Sequence, residues 1–422
     1  MIKALHEFID KKLLIKLTVV FLAWRISQLV LGLLAPKFLP YEYSFPYWDT
    51  LLQLSGNPAW IYSWANFDGV HYLTIVEHGY VGTGLIQAFF PLYPILLKLL
   101  SYLVTNHIIS GLIISNIFLY GFVLVWFKLL SLEFDRKIAW LSLFAFLSFP
   151  TSFFAGGLYT ESLFLFLAAA SFLAAKQKKW ALAGILAALL SATRVVGVAI
   201  VPALLLEYFE QKKTKTENLK PKQSLKLKLQ MNKLWNLKIS NFKFVSDLDF
   251  RISDLKPIFW ILIGSLGLLS YMAYLTYEFS DPLYFLHVQA EFGTGRQESL
   301  ILYPQVVWRY LKILWTYQPL GLKYYAYFQE FLSGTLILAT IAYSYKFARK
   351  SWVLFSFLTF LIPVMTGTFS SLPRYVLVCL SIYPLIAQLS LKHKWFKYAY
   401  FSISTSLLIL NTILFITGRW VA

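Results

Sequence analysis

One cysteine stands in 422 residues, so the chain can form neither an internal disulfide nor a thiolate metal cluster, and Cys379 itself lies in an apolar run. Charge is scarce as well. Asp, Glu, Lys and Arg make up 14% of the chain, well below the share a soluble domain carries. Acids are the scarcer sign, 20 against 38 Lys and Arg, and there are 6 histidines. Short segments of alternating polarity are missing, which argues against a transmembrane β-barrel. No internal repeat is visible, which lowers the case for an inverted-repeat transporter. A secretory signal is not expected either, because the first apolar run, Leu13 to Ala35, is too long and lacks a small-residue cleavage site.

What the chain does have is hydrophobic length. It is 58% apolar, in runs near twenty residues that can each cross ~30 Å of hydrocarbon. The reading is an all-α polytopic membrane protein forming a single domain over residues 1–422. Basic clusters orient it. Lys3, Lys11 and Lys12, then Arg136 and Lys137, Lys176 to Lys179, Lys346 to Lys350 and Lys392 to Lys397 are expected on the cytoplasmic side. Spans fitted between these marks fall at 13–35, 108–130, 138–152, 157–175, 180–192, 194–208, 257–280, 325–345, 352–369, 374–391 and 399–417, eleven in all. The run 180–208 also fits one long tilted helix, and 86–105 fits a juxtamembrane helix better than a span.

A large first external loop, 36–107, follows the first span, and a basic cytoplasmic loop, 209–256, lies mid-chain. Residues 211–256 carry eleven Lys and one Arg against four acids. Their place between spans argues for a loop facing membrane lipid and against nucleic acid. The segments left outside are 36–107, 150–161, 192–195, 281–324 and 370–374, and they hold nearly all the residues suited to chemistry.

Phe67-Asp68-Gly69-Val70-His71-Tyr72 leads that group. Gly69 permits a tight turn beside the carboxylate. If a helix begins here, Asp68 sits near its N-terminus with His71 and Tyr72 on its face. Such a carboxylate either caps the helix or takes a proton from an attacking hydroxyl. Glu77 and His78 follow, as solvated loop residues or as part of a site. Asp68, His71, Glu77 and His78 are four donors within eleven residues, but they meet no known metal-ligand spacing. A divalent metal is possible, and the sequence requires neither it nor any other cofactor.

Tyr159-Thr160-Glu161-Ser162 places an acid at the start of an apolar helix, where it complements the helix dipole or serves a site. Arg194 interrupts about thirty apolar residues and needs a partner, either Glu161 or an anionic substrate. Arg374, in Pro373-Arg374-Tyr375, is either a snorkelling residue or a fork for phosphate. Asp281-Pro282-Leu283 with His287 and Gln289 offers sugar contacts or an ordinary polar rim.

Taken in order over residues 60–380, these segments, with Ala88-Phe89-Phe90-Pro91-Leu92-Tyr93-Pro94, resemble the GPI mannosyltransferase family. That family is typified by the enzyme adding the second mannose of the GPI anchor, and it has bacterial relatives. Asp281-Pro282-Leu283 with His287 and Gln289 is similar to the bacterial branch. The resemblance implies a GT-C glycosyltransferase fold with its site on the outer face, here of a bacterial cell membrane. It implies a polyprenyl-phosphate sugar donor, typically mannose, and Asp68 as general base. One departure is Phe67, where the eukaryotic motif has Trp before the Asp. The eukaryotic acceptor does not carry over, so the acceptor stays open among glycan, glycolipid and protein. His71, Tyr72, Glu77, His78, Tyr159, Glu161, Arg194, His287, Gln289 and Arg374 are the expected substrate contacts. In-line attack opposite the phosphate implies inversion, a β-linked donor sugar giving an α-linked product. The alternative reading is a flippase for lipid-linked saccharides, which performs no chemistry.

Overall fold

The computed structural model describes residues 10–43, 45–217, 254–292, 295–297, 299–319 and 321–421. Residues 218–253, most of the basic loop expected at 209–256, lie outside the described residues. Among the described residues the chain is helix and turn, with no strand.

Polar residues start the first long helices. Asp10 caps α1 (Lys11–Phe38), accepting from the Leu13 amide at 2.6 Å. After a stretch of short turns come α2 (Asp68–His78) and α3 (Leu92–Val104). Asn106 and Asp135 then cap α4 (His107–Glu133) and α5 (Arg136–Leu147) through bonds of 3.0 and 2.8 Å. The rest follow as α6 (Glu161–Lys176), α7 (Trp180–Ser191), α8 (Ile200–Glu217), α9 (Leu255–Ile263), α10 (Leu266–Phe279), α11 (Tyr303–Thr316), α12 (Leu322–Ser344), α13 (Lys350–Val364), α14 (Leu372–Tyr375), α15 (Ile382–Lys392) and α16 (Lys394–Ile416).

Each apolar run read from the sequence contains helix, but the helices are unequal. Among the described residues three are long and apolar enough to cross a membrane alone: α1, α4 and α16. Two helix pairs reach that length only together and are bent, α9 with α10 by 46° and Leu372–Val378 with α15 by 81°, each a broken span or a re-entrant loop. The apolar run 180–208 is broken into α7 and α8 at Arg194. Helices α5, α6 and α7 have 12, 16 and 12 residues. At 1.5 Å per residue they reach only about 18–24 Å. Irregular backbone at 148–160, 192–199 and 365–371 interrupts the apolar helices. Such backbone is tolerated at membrane depth where protein surrounds it or a cavity opens beside it. These breaks carry or adjoin Tyr159, Glu161, Arg194 and Arg374.

Helix α6 is the centre of the bundle, buried along nearly its whole length between α4 and α7. Helix α7 packs closely on the α9–α10 bend, where Ser191 donates to the Gly264 carbonyl at 2.8 Å. A Cβ on Gly267 would come within 2.0 Å of the Ala188 carbonyl oxygen, so the close approach requires glycine. Helix α1 lies along α16, joined by Thr412 donating to Gln28 at 3.0 Å.

The two ends of α6 differ chemically. Glu161 opens it, and Lys176 closes it in an ion pair with Glu133. Beside that pair, Arg349 binds Glu207 through two bonds of 2.7 and 2.9 Å, and Ser351 adds a third to the same carboxylate. Lys176 and Arg349, from two of the basic clusters read as orientation marks, thus meet at the end of α6 away from Glu161.

Candidate active site

Asp68 is the first residue of α2, and its carboxylate does not cap the helix. The N-cap is Phe67, which makes no capping bond through its side chain and sits at φ 58°, ψ −114°. A non-glycine residue at that φ is strained, and it persists only where its surroundings hold it. The sharp turn therefore falls on Phe67 and not on Gly69. Glycine at 69 answers a packing need, since a Cβ there would lie 3.0 Å from the Ala65 Cβ.

Asn66 supplies the hold. It is fully buried, and its side chain accepts from the Tyr41 hydroxyl at 2.6 Å and donates to the Phe415 carbonyl at 2.7 Å. Its own carbonyl accepts from the Tyr159 hydroxyl at 2.6 Å. The Phe67 ring packs against Phe45, Phe415 and Trp420. Three distant parts of the chain thereby set the direction in which Asp68 leaves its turn.

That direction is toward Arg374. The Arg374 Nη1 lies 2.5 Å from Asp68 Oδ2, and its Nε lies 3.4 Å from Glu161 Oε1. The same Glu161 oxygen accepts from Arg194 Nη1 at 2.6 Å. Arg194, Glu161, Arg374 and Asp68 form a chain of alternating charge that neutralises itself. Glu161 is 1% exposed, and its second oxygen, Oε2, has no hydrogen-bond partner. Aromatic faces complete the setting: Arg194 lies over Tyr375 at 4.4 Å, and Arg374 over Tyr159 at 5.3 Å and Phe154 at 5.6 Å. The turn presenting Arg374 is built like that of Asp68. Ser371 precedes it at φ 62°, and the Pro373 carbonyl accepts from Thr151 at 2.7 Å.

A cavity of about 230 Å³ opens over this chain. Asp68, His71, Tyr72, Arg194, Gln289 and Arg374 line it, together with Arg296. Its walls are aromatic, including Phe45, Phe67, Phe89, Phe90, Phe292, Tyr375 and Trp420. Burial pushes the Asp68 carboxyl up, but Arg374 beside it, joined by His71 and Arg296, outweighs burial and holds it below its ordinary value. Burial lowers the His71 imidazole, and Asp68 offsets that only in part, so the ring is neutral at pH 7. His71 stacks on Phe89 at 4.8 Å.

The expected contacts do not all converge. Glu77 and His78 lie 3.7 Å apart at the far end of α2, at 35% and 65% side-chain exposure, and do not line the cavity. The helix carries them about 15 Å from Asp68. The four donors Asp68, His71, Glu77 and His78 are therefore split between two places. Among the described residues no three His, Cys, Asp or Glu gather as a metal site. His287 is turned to Asp281, 2.6 Å from its Nδ1, and is likewise outside the cavity lining. Tyr159, which holds the Asn66 backbone from behind, and Glu161, which sits behind Arg194 and Arg374, do not line the cavity either. Two residues were not among the expected contacts. Asn66 is an unremarked neutral amide in the sequence. Arg296 did leave a signal, being a cation in the external segment 281–324, where the positive-inside rule does not explain it.

No protein-family model matches the chain, and no curated protein matches its sequence. Among solved structures, two crystal structures of the Archaeoglobus fulgidus oligosaccharyltransferase have a similar course of chain. One is a complex with Zn and sulfate, at 12% identity and TM-score 0.40, covering 94% of this chain and 53% of that one. The other is tethered through a disulfide bond to an acceptor peptide containing the NVT sequon, at 13% identity and TM-score 0.39, covering 94% and 55%. This chain spans about half the length of the archaeal chains. A likeness at this level carries no inference about activity, which has to rest on the site itself.

Proposed function

We propose that this chain is a membrane glycosyltransferase of the GT-C type, using a polyprenyl-phosphate sugar, mannose by resemblance, as donor. The acceptor hydroxyl is glycosylated on the outer face of the membrane. One observation carries the reading: an ionised carboxylate, Asp68, faces an aromatic cavity that also holds arginines. A lipid-phosphate donor needs a base for the acceptor and positive charge for the departing phosphate, and little else.

Each part has a task. Asp68 takes the proton from the acceptor hydroxyl. The acceptor oxygen bonds to the anomeric carbon as the carbon–oxygen bond to phosphate breaks on the opposite face. The sugar inverts, and polyprenyl phosphate leaves with the bonding electron pair. Arg374 keeps Asp68 ionised before reaction. As Asp68 is neutralised, Glu161 stays beside both Arg194 and Arg374, and the one positive charge left over is met by the negative charge growing on the departing phosphate. His71, neutral and stacked, is suited to hydrogen bonding with sugar hydroxyls, as is Gln289.

The test uses purified full-length protein in detergent with polyprenyl-phosphate mannose and a membrane lipid extract as acceptor. Mass spectrometry of the lipids identifies the mannosylated product. Asp68→Asn is expected to keep the wild-type melting temperature and to lose at least ~100-fold of the transfer rate. Full transfer by a folded Asp68→Asn protein overturns Asp68 as the base.

A further inference from the structure

The chain of alternating charge has a consequence for phosphate. Arg194 is committed to Glu161, and Arg374 lies between Asp68 and Glu161. A phosphate bound at either arginine must displace a buried carboxylate already in contact with it. Arg296 is different. It lines the same cavity, and among the described residues it makes no ion pair at contact distance: its guanidinium lies over the Phe292 ring at 5.8 Å, and its charge reaches Asp68 only from further off.

The backbone around Arg296 is also held in place. Arg309 donates to the Gly295 carbonyl at 2.7 Å and to the Gly367 carbonyl at 2.6 Å. Immediately after Arg296, the Gln297 amide donates to the Thr366 carbonyl at 2.9 Å. Gly295, at φ +78°, makes the turn that lets this segment meet the 365–367 loop. The backbone is thus held on both sides of Arg296, beside a cavity where Arg194 and Arg374 are matched by Glu161 and Asp68.

We propose that Arg296 is the phosphate ligand of the donor lipid, and that Arg374 and Arg194 hold the carboxylates. This rests on the glycosyltransferase reading above. The charge balance of the reaction favours it. A sugar phosphodiester enters with one negative charge, and polyprenyl phosphate leaves with up to two, while the acceptor proton neutralises Asp68. Negative charge therefore moves from the base to the phosphate during the step. An arginine with no carboxylate in contact can hold the phosphate from substrate binding through the step, whereas Arg374 is released by Asp68 only as the proton arrives.

The experiment is equilibrium binding of a short-chain isoprenyl phosphate, without sugar, to the full-length protein in detergent, with inorganic phosphate as competitor. Wild type is expected to bind the isoprenyl phosphate. Arg296→Gln should weaken it about 10- to 100-fold, as loss of a charge-assisted fork does. Arg296→Lys should recover part of the loss, and all variants should share the wild-type melting temperature. Inorganic phosphate should compete at least ~100-fold less well, because it lacks the lipid for the aromatic walls. Undiminished binding by Arg296→Gln overturns the assignment and leaves the glycosyltransferase reading standing. Equal binding of inorganic phosphate overturns the lipid-linked source. A wild type that transfers sugar only from a nucleotide donor, and binds no isoprenyl phosphate, overturns both.

Discussion

Asp68 and Arg374 stand 2.5 Å apart, and the pair sets the pH behaviour expected of the reaction. A base must be unprotonated, so the rate is constant above its pKa and falls as pH drops through it. Arg374 holds the Asp68 carboxyl below its ordinary value, so the acidic limb of kcat/KM should lie below the usual carboxylate range near pH ~4. Arg374→Gln removes the charge that outweighs burial, so the Asp68 pKa rises and the limb moves to higher pH. Arg374→Lys should move it less. A pH–rate profile of the three proteins decides this, and an unmoved limb in a folded Arg374→Gln protein speaks against Asp68 as the titrating group. Residues of this kind are legible in a sequence because an ionisable group among apolar neighbours needs a reason. Glu161, Arg194 and Arg374 stand out on that ground, and Asp68 by its cluster of ionisable and aromatic neighbours in the first external loop. Arg296 leaves a fainter signal, a cation on the external side in a polar stretch with Glu291, Glu298 and Arg309. Glu77, His78 and His287 are the converse case. They are conspicuous as residue types, and the chain path takes them away from the cavity.

At the scale of elements, the site depends on where helices stop. Helix α2 begins at Asp68 because Asn66 is tied to three other segments and Phe67 is forced to a positive φ. Tyr159 belongs to this scaffold, since its hydroxyl holds the Asn66 carbonyl. Tyr159→Phe removes that one bond and keeps the ring beneath Arg374. A neutral hydrogen bond contributes about 1 kcal/mol, so the expected result is a fall in kcat of about 3- to 10-fold with isoprenyl-phosphate binding unchanged. Steady-state kinetics with the binding assay separate the two, and a loss of binding without a loss of kcat sinks the positioning role. Helix breaks are partly legible. The interruption at Arg194 shows in the apolar run 180–208, which the sequence alone leaves readable as one tilted helix or two. The turn at Phe67 is not legible, because aromatic residues rarely adopt that conformation and the cause lies in contacts made to Asn66 from 25 to 349 residues away.

At the scale of the molecule, polarity along the bundle is the feature that matters. The Glu161 end of α6 meets Arg194 and Arg374, which line the cavity, and the Lys176 end meets Glu133 near Arg349. The all-helical character and the alternation of apolar runs with basic clusters are legible in composition and spacing alone. The shortness of the inner helices is not, because hydropathy continues across breaks that tertiary contacts create. If the basic end is cytoplasmic, as the positive-inside rule requires, the cavity opens to the other side of the membrane. The chain permits a clean test, because its single cysteine, Cys379, is fully buried and can be replaced by serine in a setting of hydroxyl and carbonyl groups. In that background, Val81→Cys places a thiol at an exposed position just beyond α2, and Lys137→Cys places one at the exposed start of α5. A membrane-impermeant maleimide should label Val81→Cys in intact cells and Lys137→Cys only after permeabilisation. The opposite pattern would put the cavity on the cytoplasmic face, where nucleotide sugars are at hand and a lipid-phosphate donor loses its purpose.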